Sequence, residues 1–165
     1  MITSFPVNPN NNFVGGLMKF WFITTDDILT EPEIFEGRLI GDYTFKPEKQ
    51  LLTGLFDKES AVLAFNDNSN NKGALTKNEA TFDLADNSPE LDQLFCEMHC
   101  KKFIVFIADN YKNVRVMGRK DNGAIFSFSF TTAKKRTDQA SYQFKFYTET
   151  ACILPITTTQ ITDIC

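Results

Sequence analysis

The chain has 165 residues, 42% apolar and 23% charged, with a formal net charge of −4 and a pI near 5.0. A chain this long buries roughly two thirds of its unfolded surface, so one domain can fold without a disulfide or a metal. The acidity argues against a grip on nucleic-acid phosphates, though not against a protein that encloses DNA without holding it. No run approaches the ~20 apolar residues of a membrane span.

Seventeen Phe beside a single Trp lean the composition toward pleated, half-buried strands. Residues 1–12 hold Pro6, Pro9 and Asn10-Asn11-Asn12, an arm without a core of its own. The start lacks the basic and apolar stretches of a signal peptide. Cys96, Cys100, Cys152 and Cys165 are therefore expected to stay reduced in a cytoplasm. Gly15-Gly16 opens into Leu17 to Ile23, a strand apolar on nearly both faces, with Met18, Phe20 and Phe22 on one and Lys19, Trp21 and Ile23 on the other. Such a strand is buried by a further layer or by a neighbouring subunit, which makes Trp21 a candidate interface residue.

Asp26-Asp27 ends that strand, Glu31-Pro32-Glu33 is a turn, and Gly37 and Gly41 break residues 34–45 into bent strands. A short strand is expected over Ser60 to Phe65. Asn66 to Gly73 has no apolar residue and is read as an exposed loop, and Glu79 to Leu84 resumes as a strand. One helix starts at Ser88-Pro89-Glu90, with an N-cap Ser, Pro at the first helical position and an acid facing the dipole. Leu91, Leu94, Phe95 and Met98 form its core stripe, and it ends near Cys100 or Lys101.

Residues 102–150 are expected to form an antiparallel meander. Phe103 to Ala108 is its first strand, Asp109 to Asn113 a hairpin loop, Val114 to Met117 the return and Gly118 to Gly123 a second turn. Phe126, Phe128 and Phe130 then alternate with polar residues, as do Tyr142, Phe144 and Phe146. Two such ladders predict cross-strand pairing over a common buried face. The fold class is mainly β (α+β), an antiparallel β-sandwich or half-barrel with one flanking α-helix. The β-rich domain spans 13–155, and 156–165 is a C-terminal tail.

The residues that could carry chemistry are few. Cys96, His99 and Cys100 sit within one helical turn and could join Cys152 or Cys165 around zinc. The two cysteines lie off the core stripe, however, and no CxxC pair accompanies them. No GxSxG elbow is present, and a Cys–His pair would rest on His99 meeting a distant cysteine. Asp26-Asp27 and Glu31/Glu33 lack the pattern of a calcium loop. No catalytic, cofactor or metal site is expected, and metal analysis would decide the zinc alternative. Lys134-Lys135-Arg136, a basic tip on an acidic protein, is the further candidate for a subunit interface, by charge complementarity with a neighbour.

Three segments resemble bacteriophage tail structural proteins of the tail-tube kind, from phages of Bacteroidetes-type hosts. They are Gly15-Gly16-Leu17-Met18-Lys19-Phe20-Trp21-Phe22 to Asp26-Asp27-Ile28, then Leu91-Asp92-Gln93-Leu94 with the apolar strands through Gly118, and Tyr142 to Glu149. The resemblance implies a tail-tube-like half-barrel and no catalytic residues. It also implies a homo-oligomeric ring, commonly a hexamer, around a channel through which DNA passes. Other tail or neck proteins would be partners, and the location would be the virion after assembly in the host cytoplasm. The basic Lys134–Arg136 loop departs from the plainer glycine-rich link of that pattern. The rival reading is a β-sandwich module that binds a peptide, glycan or receptor through Asn66–Gly73 and Gly118–Gly123.

Overall fold

The computed structural model describes residues 16–57, 59–68, 75–85, 88–132 and 140–157. The protein is mainly β with one α-helix, and its principal sheet curls into a half-barrel. At the centre lies β9 (Lys102–Asp109), six of whose residues, Phe103 to Ala108, are buried in succession. A strand can be apolar at every position only when both faces are covered. One edge of β9 pairs antiparallel with β1 (Leu17–Thr24), from Leu17↔Asp109 to Thr24↔Phe103. A bulge between Leu17 and Lys19 breaks the register. It turns Leu17 toward the core that holds Phe20 and Phe22, while Met18 stays 38% exposed. Met18 therefore does not complete the face expected for it, because one extra residue inverts the alternation.

The other edge of β9 carries two strands in succession. β10 (Val114–Met117) pairs with Val105 to Ala108, and β11 (Ala124–Thr131) begins on Lys102 and Phe103. Both run antiparallel to β9, so Gly118 to Gly123 is an excursion from a single line of strand. The meander and its second turn are corrected accordingly. β11 continues past the end of β9 and pairs with β12 (Ser141–Thr150), which pairs with β8 (Thr76–Leu84), and β8 with β7 (Val62–Asp67). The predicted strand at Ser60 to Phe65 thus lies two residues later. The aromatic ladders meet as read: Phe126↔Phe146, Phe128↔Phe144 and Phe130↔Tyr142. Their shared face is buried at Phe126, Tyr142, Phe144 and Phe146, and opens outward at Phe130.

Curling brings the interior face of β8 and β12 over β1 and β9. Phe20 lies 4.3 Å, ring centre to ring centre, from Phe82 and 6.0 Å from Phe146. The helix α1 (Pro89–His99) closes one end of this core: Phe95 stands within 5.3 Å of Phe126, Phe128, Tyr142 and Phe144. Tyr142 donates to Asp92 on the helix's first turn. Leu94 is 43% exposed and is not part of the core stripe, whereas Phe95 and Met98 are buried.

A second core covers the opposite face of β1, β9 and β10. Trp21, Ile23, Ile104, Phe106, Val114 and Val116 pack there against Ile28, Leu39, Tyr43, Phe45 and Leu51. The covering layer is built from short strands: β2 (Ile28–Thr30) with β5 (Thr44–Phe45), and β3 (Glu33–Phe35) with β4 (Arg38–Ile40). β6 (Leu52–Thr53) pairs with Trp21 and Phe22 on the outer edge of β1. β13 (Ile156–Thr157) joins β10 to β4, so the expected tail begins inside the sheet.

Candidate interaction surface at the sheet corner

The line of β10 and β11 and the line of β12 and β13 run side by side, and both are interrupted at one level. Residues 118–123 leave the first line and 151–155 leave the second. The first excursion is pinched at its neck. A Cβ on Gly118 (φ +90°) would lie 2.5 Å from Phe103 O and 2.7 Å from Ala124 N. Backbone occupies the place of a side chain, so only glycine fits. Arg119 N donates to Asn122 O at 3.0 Å. Cross-links hold the two excursions in place: Asn122 Nδ2 to Glu149 O at 2.9 Å, Arg115 Nη1 to Leu154 O at 3.2 Å, and Val116 N to Pro155 O at 3.1 Å.

Between the excursions and the covering layer lies a cavity of about 290 Å³. Ile34, Leu39, Tyr43, Val116, Ile153 and Leu154 give it apolar walls, and Arg119, Asn122 and Cys152 add polar groups. Glu31 binds beside it: its carboxylate pairs with Arg119 and accepts from Lys120 N at 2.7 Å. Lys120 Nζ donates to Leu29 O at 3.3 Å. Burial pushes the Tyr43 hydroxyl well above the ordinary tyrosine range, and the Glu31 charge adds to this against the smaller pull of Arg119. Tyr43 therefore keeps its phenolic proton at neutral pH.

The hairpin of β3 and β4 borders the cavity and ends the sheet; among the described residues no strand lies beyond β3. Ile34 pairs with Leu39 on the side that lines the cavity. The opposite side shows Phe35, 61% exposed, and Ile40, 58% exposed, set between Glu33 and Arg38. Ile153, also a cavity residue, is 57% exposed. Apolar side chains beside a strand edge that no other strand pairs among the described residues form a surface suited to another protein.

The residues singled out from sequence lie elsewhere. Trp21 is 2% exposed and sits in the second core, with Lys19 Nζ 5.0 Å from its ring centre. It is corrected as an interface candidate, because the chain's own residues 28–51 supply the layer over it. Lys134, Lys135 and Arg136 lie outside the described residues. Cys96 is exposed on α1 and Cys100 just past its end, and His99 stands edge-on to Phe128 at 6.1 Å. Among the described residues no group of three or more His, Cys, Asp or Glu side chains could hold a metal. Asp27 accepts from Thr24 Oγ1 at 2.7 Å and pairs with Lys49 at 3.6 Å, so it shapes a turn. Of the Asn66–Gly73 loop only Asn66 to Asn68 is described, with Asn68 N donating to Leu75 O at 2.7 Å.

The sequence reading missed Glu31, Tyr43 and Arg119 as a group. The available signal is the pair of glycines at 118 and 123, whose composition by itself indicates only a turn. No protein-family model, curated protein or solved structure matches the chain.

Proposed function

We propose that this protein is a non-enzymatic structural subunit of a bacteriophage tail or neck that assembles into a ring or tube around a DNA channel. The observation that carries the reading is the open end of the sheet at β3, where Phe35 and Ile40 stand exposed on a short hairpin. A contact made by one end of a sheet on a different surface of the next copy is heterologous, and such contacts close into rings where the rotation closes and run on as helical filaments where it does not. The three segments that resemble tail-tube proteins support the same reading, as does the net negative charge, which lets DNA pass without sticking. The ring is a homo-oligomer, hexameric as the resemblance implies, with other tail or neck proteins as its axial partners.

Light scattering of the purified chain across a concentration series, with electron microscopy of the same samples, tests this. Rings or discrete oligomers are expected. The double substitution Phe35→Asp with Ile40→Lys should return the protein to a monomer with an unchanged circular dichroism spectrum. A stable monomer at high concentration, with no rings in the images, overturns the proposal.

A second reading is favoured by the cavity itself. The Gly118–Gly123 excursion walls it, and a cavity of about 290 Å³ with apolar walls and the half-buried Tyr43 on its lining suits one large side chain of a bound peptide. Under that reading the protein is a recognition module, and substitutions at Ile34 or Ile153 abolish binding of a partner without altering self-association.

A further inference from the structure

The hairpin of β3 and β4 carries different side chains on its two faces, because neighbouring residues of a strand point opposite ways. One face lines the sheet-corner cavity through Ile34 and Leu39. The other presents Phe35 opposite Arg38 and Ile40 opposite Glu33. The turn between the strands is tight, since Glu36 (φ +49°) and Gly37 (φ +75°) both take the left-handed backbone of a two-residue hairpin. Phe35 therefore stands at the tip of a short projection, and it is the most exposed phenylalanine among the described residues. It faces away from its own chain's cavity, with the strand that bears it in between.

We propose that Phe35 of one copy seats in the sheet-corner cavity of the next, so that this hairpin and this cavity are the two halves of the contact between subunits. The seat rests on the ring assembly proposed above and names the surface that the hairpin meets. Size permits it: an apolar cavity of about 150 Å³ already holds a benzene ring, and this one has about 290 Å³. Its walls match as well, with Val116 and Leu154 inside and the exposed Ile153 at the mouth, where the neighbour's Ile40 meets it. Charge is complementary around that apolar centre. Glu33 and Arg38 flank Phe35 on the hairpin, while Lys120 and Asp121 lie on the excursion that walls the cavity. Among the described residues none of these four forms an ion pair within its own chain, so Glu33 can face Lys120 and Arg38 can face Asp121. Such pairs fix register more than affinity. Direction sets the form of the assembly. Knob and hole lie on opposite faces of one hairpin, so a copy that gives its Phe35 on one side receives a neighbour's on the other. That contact is heterologous. A foreign peptide would account for the cavity and leave the exposed ring without a seat.

Two variants of the full chain, each lacking one half of the contact, test this in analytical sedimentation. The Phe35→Asp, Ile40→Lys variant loses the knob and keeps the cavity, whose walls include neither residue. The Ile153→Asp variant loses the hole and keeps the hairpin; Ile153 is 57% exposed, so the fold tolerates the change, which circular dichroism checks. Each variant alone should sediment as a monomer. Mixed in equal amounts, they should form a particle of twice the monomer's mass and nothing larger, because one knob and one hole remain. The milder Ile153→Ser variant should assemble about tenfold more weakly than the unmodified chain. If the unmodified chain stays monomeric at high concentration, the assembly falls and the seat with it. If it assembles, but both Ile153 variants assemble equally well or the mixture stays monomeric, the seat is overturned while the assembly stands.

Discussion

A methyl group at Gly118 would lie within 3 Å of two backbone atoms, Phe103 O and Ala124 N, and neither can move without opening the junction of β9 and β11. The Gly118→Ala variant combines that overlap with a backbone angle that L residues avoid, and should lose about 2–4 kcal/mol in a urea titration. Tyr43 gives a different signature. Its folded-state pKa is raised, so the folded protein keeps the proton that the unfolded chain releases near pH 10. The folded state then binds more protons than the unfolded one, and stability falls as pH rises past about 10. The Tyr43→Phe variant should remove this Tyr43-dependent part of the fall, visible as a shallower decline in thermal midpoint from pH 9 to 11 than in the unmodified protein. On the exposed face, Glu79 takes Lys77 at 3.1 Å and Lys145 at 3.3 Å. Burial raises its pKa, but the two lysine hydrogen bonds prevail and hold it below the ordinary value. Such exposed pairs contribute little, about 0.2–1 kcal/mol each.

Among the elements, α1 and the two ladders bear most of the first core. Phe95 meets four rings of β11 and β12, and Phe95→Ala should cost about 3–5 kcal/mol, seen as a lower midpoint with an unchanged slope in denaturant. Leu94→Ala, at a half-exposed position, should cost far less. These elements were legible in the sequence because their signals are local: period 2 in Phe126–Phe130 and Tyr142–Phe146, period 3.6 with a Ser-Pro start in the helix. The continuity of β10 and β11 was not legible. Gly118 to Gly123 has turn composition, and what keeps the chain on its line is the pairing of Ala124 with Phe103, a contact set by the tertiary fold. The covering layer escaped for a related reason. Its strands are two or three residues long, too short for any periodicity, and they hold their place through Ile28, Leu39 and Tyr43 against β9 and β10. The apolar face at Trp21 signals a cover from above, but the two candidate covers, chain or neighbour, leave the same mark on the strand.

For the whole molecule, the nature of the assembling surface sets its response to salt. A contact built on Phe35 and Ile40 is apolar, so oligomers should persist at about 1 M NaCl, where the Debye length is about 3 Å, and strengthen in sulfate. A contact built on Lys134, Lys135 and Arg136 would dissociate under the same conditions. Sedimentation in low and high salt separates the two.

The pairing of β1 with β9 also sets a timetable. Leu17–Thr24 finds its main partner in Lys102–Asp109, so the apolar strand is made long before the strand that covers its edge. At cellular elongation rates an interval of about 80 residues lasts roughly 4–16 s. During it the nascent chain carries Phe20, Trp21, Phe22 and Ile23 without their sheet. Its yield in a cell therefore depends on what shields that segment on the ribosome, and slowing translation should lower the soluble fraction more than warming the finished protein does.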